Sequence, residues 1–175
     1  LQGHLGAGMN LLARYAEAIF WLARYVERAE NLARILDVQE TFSRDSQGHH
    51  DWAAVLALNG DSEAFFKSRP AATAESVLRW YVMDRENPTS LVNDVKGARE
   101  NARMLRSLIS TEMWAQLNVF YNRVLALTAA DLAEERLART CALIKEACDA
   151  HVGITAGTFY RDEAWNFYEL GRAIE

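Results

Sequence analysis

Apolar residues recur every three or four positions along most of the chain, which is the period of an α-helix. The longest such run covers residues 10 to about 43 and contains no Gly or Pro. Its main apolar face includes Leu12, Ile19 and Val26, and its other side also carries Trp21 and Leu32. A helix that is apolar nearly all round is buried, so the pattern predicts a long first helix inside a bundle.

Shorter periodic segments follow, and Gly, Pro and capping residues separate them. No segment shows the alternation of a strand long enough to matter. The predicted fold class is therefore all-α, a multi-helix bundle of six or seven helices with a long N-terminal helix. The later helices are expected at 52–58, at 62–67, at 74–83 with Thr73 as its cap, and at 90–108. Ser110 or Thr111 is expected to cap the next helix and Asp131 the one after it, which breaks at 153–158, and a last helix is expected from Asp162 onward.

The first eight residues are rich in Gly and lack periodicity. We expect residues 1–8 to be the remnant of an expression tag or a disordered lead, with Met9 as the natural start. Residues 9–175 are expected to form a single α-helical domain, because a chain of this length can bury about 70% of the surface that its unfolded form exposes.

A short pattern on the first helix returns near the end of the chain. Leu22-Ala23-Arg24-Tyr25-Val26-Glu27 is matched 148 positions later by Leu170-Gly171-Arg172-Ala173-Ile174-Glu175. Both copies run Leu, a small residue, Arg, any residue, an aliphatic β-branched residue and Glu. The first copy continues with Arg28, whereas the sequence stops at Glu175. The pattern predicts that the chain is truncated within a second repeat of this Glu-Arg motif.

Charge and composition disfavour two classes of partner. The net charge of −5 argues against a nucleic-acid binder, which needs a basic face to neutralise phosphates. No run of about 18 apolar residues is present, so no membrane span is predicted. The chain also lacks a signal-peptide pattern, and a cytoplasmic location is expected.

The two cysteines, Cys141 and Cys148, are seven positions apart in one predicted helix. A helix rises about 1.5 Å per residue, so the two side chains start roughly 10 Å apart, beyond the reach of a disulfide. We interpret them as buried thiols in a reducing compartment. A partner thiol or a metal ion is the alternative.

Polar side chains that could carry chemistry are concentrated on the first helix. Glu30 falls in the middle of the apolar face, so its carboxylate is expected to be buried and to need a partner from another helix. The neighbouring polar residues are spaced by three or four, which places them within reach of one another. The whole cluster consists of Arg24, Glu27, Arg28, Glu30, Asn31, Arg34 and Asp37.

Three interpretations of this cluster stay open. One is an ion-pair latch, meaning paired charges that fix the register of packed helices. Another is a polar cavity whose Arg and Glu side chains bind an anionic or peptide-like ligand. A carboxylate-bridged metal site is the third and least favoured, because the Glu-x-x-His spacing of di-iron bundles does not occur. No metal and no cofactor is therefore predicted.

Two further clusters resemble the first in composition. Arg99-Glu100-Asn101-Ala102-Arg103 repeats the Glu-Asn pair followed by Arg, and Asp162 with Glu163 stands where the last helix is expected to begin, which suits a cap. The chain has no Gly-rich phosphate loop, no nucleophile elbow, no His-Glu-x-x-His and no Cys-x-x-Cys. These absences disfavour an enzyme.

With these residues in view, the chain resembles the alpha-E domain family, bacterial α-helical proteins named for a Glu-Arg motif. The resemblance is centred on Glu27-Arg28-Ala29-Glu30-Asn31 and extends over nearly everything from Met9 onward. Ala23 is a departure, since relatives often have Gly there, and the second motif lacks its Arg because the sequence stops. The matching segments are 15–17, 21–31, 34–38, 84–90, 98–103, 110–114, 161–165 and 170–172.

The resemblance implies a genomic association with ATP-grasp ligase-like and transglutaminase-like proteins. It therefore implies an accessory or binding protein that acts with an ATP-grasp ligase-like partner in peptide synthesis or modification. The alternatives are an enzyme of peptide or amide chemistry that uses Glu27 or Glu30 as general base, and a purely structural bundle or homo-oligomer. The motif residues that it singles out are Glu27, Arg28, Arg99, Glu100, Asp162 and Arg172.

Overall fold

The computed structural model describes residues 11–45 and 51–175. The all-α class and the long first helix are confirmed, and no strand occurs in this part of the chain. It holds eight α-helices where six or seven were expected, because the two short segments 53–59 and 62–66 are separate helices. The expectations for residues 1–8 and Met9 lie outside the described residues. The eight α-helices are α1 (Ala13–Asp45), α2 (Ala53–Asn59), α3 (Ser62–Phe66), α4 (Ala74–Val82), α5 (Leu91–Met104), α6 (Thr111–Leu125), α7 (Glu134–Thr158) and α8 (Glu163–Ile174), and a short 3-10 helix (Ala129–Leu132) precedes α7.

Helix α1 is the centre of the bundle and packs against α5, α7 and α8. Ile19, Leu22 and Val26 lie on its most buried side and are all nearly inaccessible to solvent. Because α1 meets neighbours on several sides, it is apolar around most of its circumference, as its sequence predicts.

Helix α8 runs parallel to the first half of α1. The start of α8 at Asp162 lines a cavity together with Leu12, at the start of α1. At the other end, Glu175 bonds to Arg24, three turns further along α1. The two copies of the repeated pattern therefore lie side by side and point in the same direction.

Three helix starts follow from their capping residues. Thr73 and Ser76 form a reciprocal capping box at α4. The Ser110 hydroxyl accepts a hydrogen bond from the Met113 amide at 3.1 Å, and the Asp162 carboxylate accepts one from the Ala164 amide at 2.9 Å. The predicted caps at Thr73, Ser110 and Asp162 are confirmed.

Two predictions about α7 are wrong. Asp131 does not cap it: the Asp131 carboxylate accepts bonds from the amide and hydroxyl of Thr128, in the 3-10 turn, and α7 begins at Glu134. The predicted break at 153–158 is also absent, because α7 continues to Thr158. Each Gly inside a helix costs about 1 kcal/mol relative to Ala, a weak preference that does not end α7 here: Thr155, beyond Gly153, is buried and its hydroxyl donates to the His151 carbonyl oxygen at 2.8 Å.

Cys141 and Cys148 are both buried and both free, which agrees with the disulfide being out of reach. Burial raises the pKa of Cys141 to about 12 and raises that of Cys148 further. Both thiols are therefore protonated and behave as small apolar core residues.

Candidate functional site

The two copies of the repeated pattern bind each other through their charged residues. Arg24 Nε of α1 donates to Glu175 Oε2 at 2.7 Å, and Arg172 Nε of α8 donates to Glu27 Oε2 at 3.2 Å. By the 148-residue offset, Arg24 corresponds to Arg172 and Glu27 to Glu175. Each copy's Arg thus pairs with the other copy's Glu, as in two identical surfaces related by a two-fold axis.

The small residue of the pattern lies where α1 and α8 come closest. A Cβ atom built on Gly171 would lie 2.4 Å from the carbonyl oxygen of Phe20 and 3.0 Å from the Cβ of Ala23. Ala23 and Gly171 are equivalent positions, so the helices meet at corresponding points. The absence of a side chain at Gly171 is what permits this approach of the two backbones.

Arg28 makes the most extensive set of contacts between these helices. Its Nε and Nη2 donate to the two carboxylate oxygens of Glu175 at 2.6 and 3.2 Å, and its Nη1 lies 3.5 Å from Asp94 Oδ1 of α5. Burial raises the pKa of Glu175, but the hydrogen bonds from Arg28 and Arg24 outweigh it, and the pKa is lowered overall. Glu175 is therefore held as a carboxylate in a bidentate Arg pair.

We call the five residues of this network the motif cluster: Arg24, Glu27, Arg28, Arg172 and Glu175. All five side chains are at least two-thirds removed from solvent. In such a position a charge must be paired, and every member has a partner of opposite sign within 3.2 Å. The cluster thus connects α1 and α8 through charges that solvent screens only in part.

Asp94 is a buried acid behind the motif cluster that the sequence reasoning missed. Its side chain is inaccessible to solvent, neither oxygen accepts a hydrogen bond, and Arg28 is its one ion-pair partner within the described residues. Burial, opposed by Arg28 and assisted by Glu175, raises its pKa to about 8. A signal was available: Asp94 lies three residues after Leu91 and four before Ala98, on the apolar face of its helix.

Glu30 is buried as predicted, but its partner is not on another helix. Arg34, one turn along α1, donates to Glu30 Oε1 through both Nε, at 3.0 Å, and Nη2. The long Arg side chain reaches back along its own helix and leaves its head group in solvent, so no second helix is needed. Asp37, in contrast, does bind across helices and accepts a bond from Lys145 Nζ of α7 at 2.7 Å.

A cavity of about 580 Å³ adjoins the motif cluster. Its wall includes Arg28, Asn31, Arg34 and Glu175, but neither Glu27 nor Glu30. On the opposite side the Tyr81 hydroxyl donates to Asp61 Oδ2 at 3.0 Å, and Asn59 and Thr89 complete the polar lining. The volume lies within the range of small-molecule sites.

Arg99 and Glu100 do not join the motif cluster. Arg99 donates to Asn118 Oδ1 of α6 at 2.8 Å and to Glu100 at 3.0 Å. Its guanidinium lies 5.5 Å from the ring centre of Trp114 and 5.1 Å from that of Tyr121. These contacts fix α5 on α6. The structure therefore gathers Arg24, Glu27, Arg28 and Arg172 in one place and separates Arg99, Glu100 and the capping residue Asp162 from them.

Two negative findings hold for the described residues. No group of three or more His, Cys, Asp or Glu side chains there is arranged to hold a metal ion. No helix in 11–45 or 51–175 combines the length and the apolar character that crossing a membrane requires.

Comparison with known proteins gives this arrangement a context. A family model described as "a predicted alpha-helical domain with a conserved ER motif" matches residues 11–175. The chain belongs to the Alpha-E family. It contains two Glu-Arg dipeptides, at Glu27-Arg28 and Glu135-Arg136. Only the first ties helices together: Arg136 is mostly exposed and lies 3.9 Å from Asp131, just before its own helix.

Relatives of this Alpha-E chain occur in mycobacteria. It is 27% identical to uncharacterised proteins of Mycobacterium bovis (strain ATCC BAA-935 / AF2122/97) and Mycobacterium tuberculosis (strain CDC 1551 / Oshkosh). In each comparison the match covers 93% of this chain and 21% of the relative, so the chain spans about a fifth of the length of these proteins. No solved structure matches the chain.

Proposed function

We propose that this Alpha-E chain is a non-catalytic helical accessory or binding module that acts beside an ATP-grasp ligase-like protein in peptide synthesis or modification. The observation that supports a binding role is the pairing of the motif charges. Arg24, Arg28 and Arg172 are all engaged by carboxylates of the neighbouring helix. The motif thus serves to set the position of α8 on α1, and with it the surface that the two helices present.

The same pairing argues against the enzyme alternative. A general base must reach the proton that it removes, directly or through one water molecule. Glu27 accepts a hydrogen bond from Arg172, Glu30 accepts two from Arg34, and neither lines the adjoining cavity. Cys148 and His151 are also both fully buried, and burial, assisted by Arg172, lowers the pKa of His151 to about 4. They form no thiolate-imidazolium pair.

The adjoining cavity gives the module a place for a ligand. Arg28 and Arg34 supply positive charge at its wall, Asp61 and Glu175 supply negative charge, and Asn31 and Thr89 supply groups that can donate and accept hydrogen bonds. The second interpretation that the sequence left open was an anionic or peptide-like ligand, and a peptide-like molecule, which carries groups of both signs, suits this mixed lining better than an anion. A module that presents such a molecule to a ligase would need no catalytic group of its own.

A pull-down experiment tests the proposal. The chain is immobilised and offered an ATP-grasp ligase-like protein, and Glu27→Ala is compared with the unsubstituted sequence. We expect the natural chain to retain the ligase and Glu27→Ala to lose most of it, because Arg172 is released and α8 shifts. A transglutaminase-like protein is offered in a parallel sample.

The matched control is Glu63→Ala, which removes an exposed Glu paired with Lys67 on the short helix α3. It should leave retention unchanged, and thermal unfolding of all three proteins identifies any loss of fold. If the natural chain retains neither partner, the accessory role is wrong and the structural alternative stands. If Glu27→Ala folds and retains the ligase as well as the natural chain does, the motif has no part in binding.

A further inference from the structure

Helix α8 presents to solvent the apolar residues that α1 buries at the equivalent positions. Phe167, Leu170 and Ile174 are 38%, 47% and 54% exposed. The 148-residue offset makes them the counterparts of Ile19, Leu22 and Val26, which are 1%, 2% and 3% exposed. We call Phe167, Leu170 and Ile174 the α8 stripe.

The α8 stripe is one surface and not a set of scattered apolar residues. Its members are spaced by three and four, so they lie on one face of the helix. An open apolar groove between α8 and the start of α1 continues it, lined by Ala13, Ala16 and Phe20 together with Phe167 and Leu170. Contiguous apolar surface of this kind marks a site of protein contact.

On α1 the equivalent residues are buried, and besides α8 the helices that pack most against α1 are α5 and α7. A partner for the α8 stripe should therefore present an apolar surface like the one that α5 and α7 present to α1. A second copy of this chain has no such surface free, because its own α1 already packs on its α5 and α7. The occupant that fits is a second bundle of the same fold in which α8 takes the place of α1.

We infer that α8 is shared between two bundles: it closes the first and begins the second, and counterparts of α5 and α7 cover the α8 stripe. The two bundles then meet about a pseudo-two-fold axis that passes between Ala23 and Gly171. Three observations agree with a pseudo-two-fold axis. The helices α1 and α8 run parallel, they come closest at the equivalent residues Ala23 and Gly171, and the ion pairs Arg24–Glu175 and Glu27–Arg172 are reciprocal.

The charges on the axis also fit this arrangement. Glu175 is held by two arginines of the first copy, Arg24 and Arg28, whereas Glu27 is bonded by Arg172 alone within the described residues. Two-fold symmetry calls for a counterpart of Arg28 that binds Glu27 as Arg28 binds Glu175. The mycobacterial relatives, of which this chain spans 21%, have length for a second bundle.

Cysteine labelling in the natural protein at its full length tests the inference. Single cysteines are introduced as Leu170→Cys and Ile174→Cys, with Val119→Cys on α6 and Leu58→Cys on α2 as exposed controls. Cys141 and Cys148 are buried and do not compete for a maleimide. We expect labelling at 170 and 174 to be at least about tenfold slower than at the controls, because the reagent must wait for local opening.

Light scattering on the same samples separates the possible occupants. Slow labelling in a monomer at every protein concentration supports a second bundle within one chain. Slow labelling that appears only when the protein dimerises shows that another copy of the chain covers the α8 stripe, and it overturns the inference. Labelling at the control rate shows an uncovered surface and overturns it as well.

Discussion

Replacing Gly171 with Ala is expected to lower the free energy of unfolding by about 2–3 kcal/mol, the cost of forcing an extra methyl group into a packed interface. The new Cβ would lie 2.4 Å from the Phe20 carbonyl oxygen, which belongs to the backbone of α1 and cannot turn aside as a side chain would. Relief requires α8 to move away from α1, and this movement lengthens the Arg24–Glu175 and Glu27–Arg172 pairs. Urea denaturation measures the loss.

Gly153→Ala is the matched control, because it makes the same change on another helix. A Cβ on Gly153 meets no atom within 4 Å, and the residue lies inside α7. Ala is the better helix former, so this variant should be more stable by up to about 1 kcal/mol. Equal effects of the two substitutions would show that α1 and α8 do not approach as closely as described.

Arg28→Met is the second substitution with a large expected effect, a loss of about 2–3 kcal/mol at neutral pH, since the partly buried Glu175 loses its bidentate partner and is left with Arg24 alone. Arg28 holds Glu175 through two hydrogen bonds and is the ion-pair partner of Asp94. Arg103→Met is the control: Arg103 is two-thirds exposed and pairs with Glu100 on the same helix, so its loss should cost about 0.5 kcal/mol or less.

The loss in Arg28→Met should also grow with pH. The pKa of Asp94 is raised from 3.8 unfolded to about 8 folded, so the folded protein keeps a proton that the unfolded chain releases between these values. The contribution of Asp94 to the free energy of unfolding is therefore largest below about pH 4, falls as the pH rises from about 4 to 8, and no longer changes above pH 8.

Arg28 lowers the pKa of Asp94, so in Arg28→Met this pKa lies higher and the free energy of unfolding keeps falling above pH 8. Urea denaturation at pH 6 and pH 9 measures the difference. The double variant Arg28→Met with Asp94→Asn should lose the extra pH dependence, because Asn does not titrate. If the single and double variants respond to pH alike, Asp94 is not the group responsible.

Periodicity and capping chemistry predict most of the fold. The 3.6-residue pattern of apolar positions identifies α1 as a buried helix, and the side chains of Thr73, Ser110 and Asp162 mark three helix starts. These signals are local, because a cap bonds to an amide two or three residues away. The continuation of α7 through Gly153 was not predictable in this way, since tertiary packing there overrides a weak intrinsic preference.

The sequence predicts which residues take part in the candidate site, but it does not predict which of them pair with each other. Spacing shows that Glu30 and Arg34 are one turn apart, yet the sequence does not say that Arg34 alone satisfies Glu30. The repeated pattern draws attention to Arg172 and Glu175, but a partner 148 positions away is set by the packing of whole helices. Arg99 was wrongly grouped with the motif, because its sequence neighbours resemble it. Its contacts with Trp114 and Tyr121 belong instead to the interface between α5 and α6.

A double-mutant cycle between Arg28 and Glu175 tests most directly whether the Glu-Arg motif ties α8 to α1. The free energy of unfolding is measured for the natural chain, Arg28→Met, Glu175→Gln and the double variant at one pH. We predict a coupling energy of at least about 1 kcal/mol, because the pair is bidentate and largely removed from solvent. Additivity of the two single effects within about 0.3 kcal/mol would contradict the proposed connection.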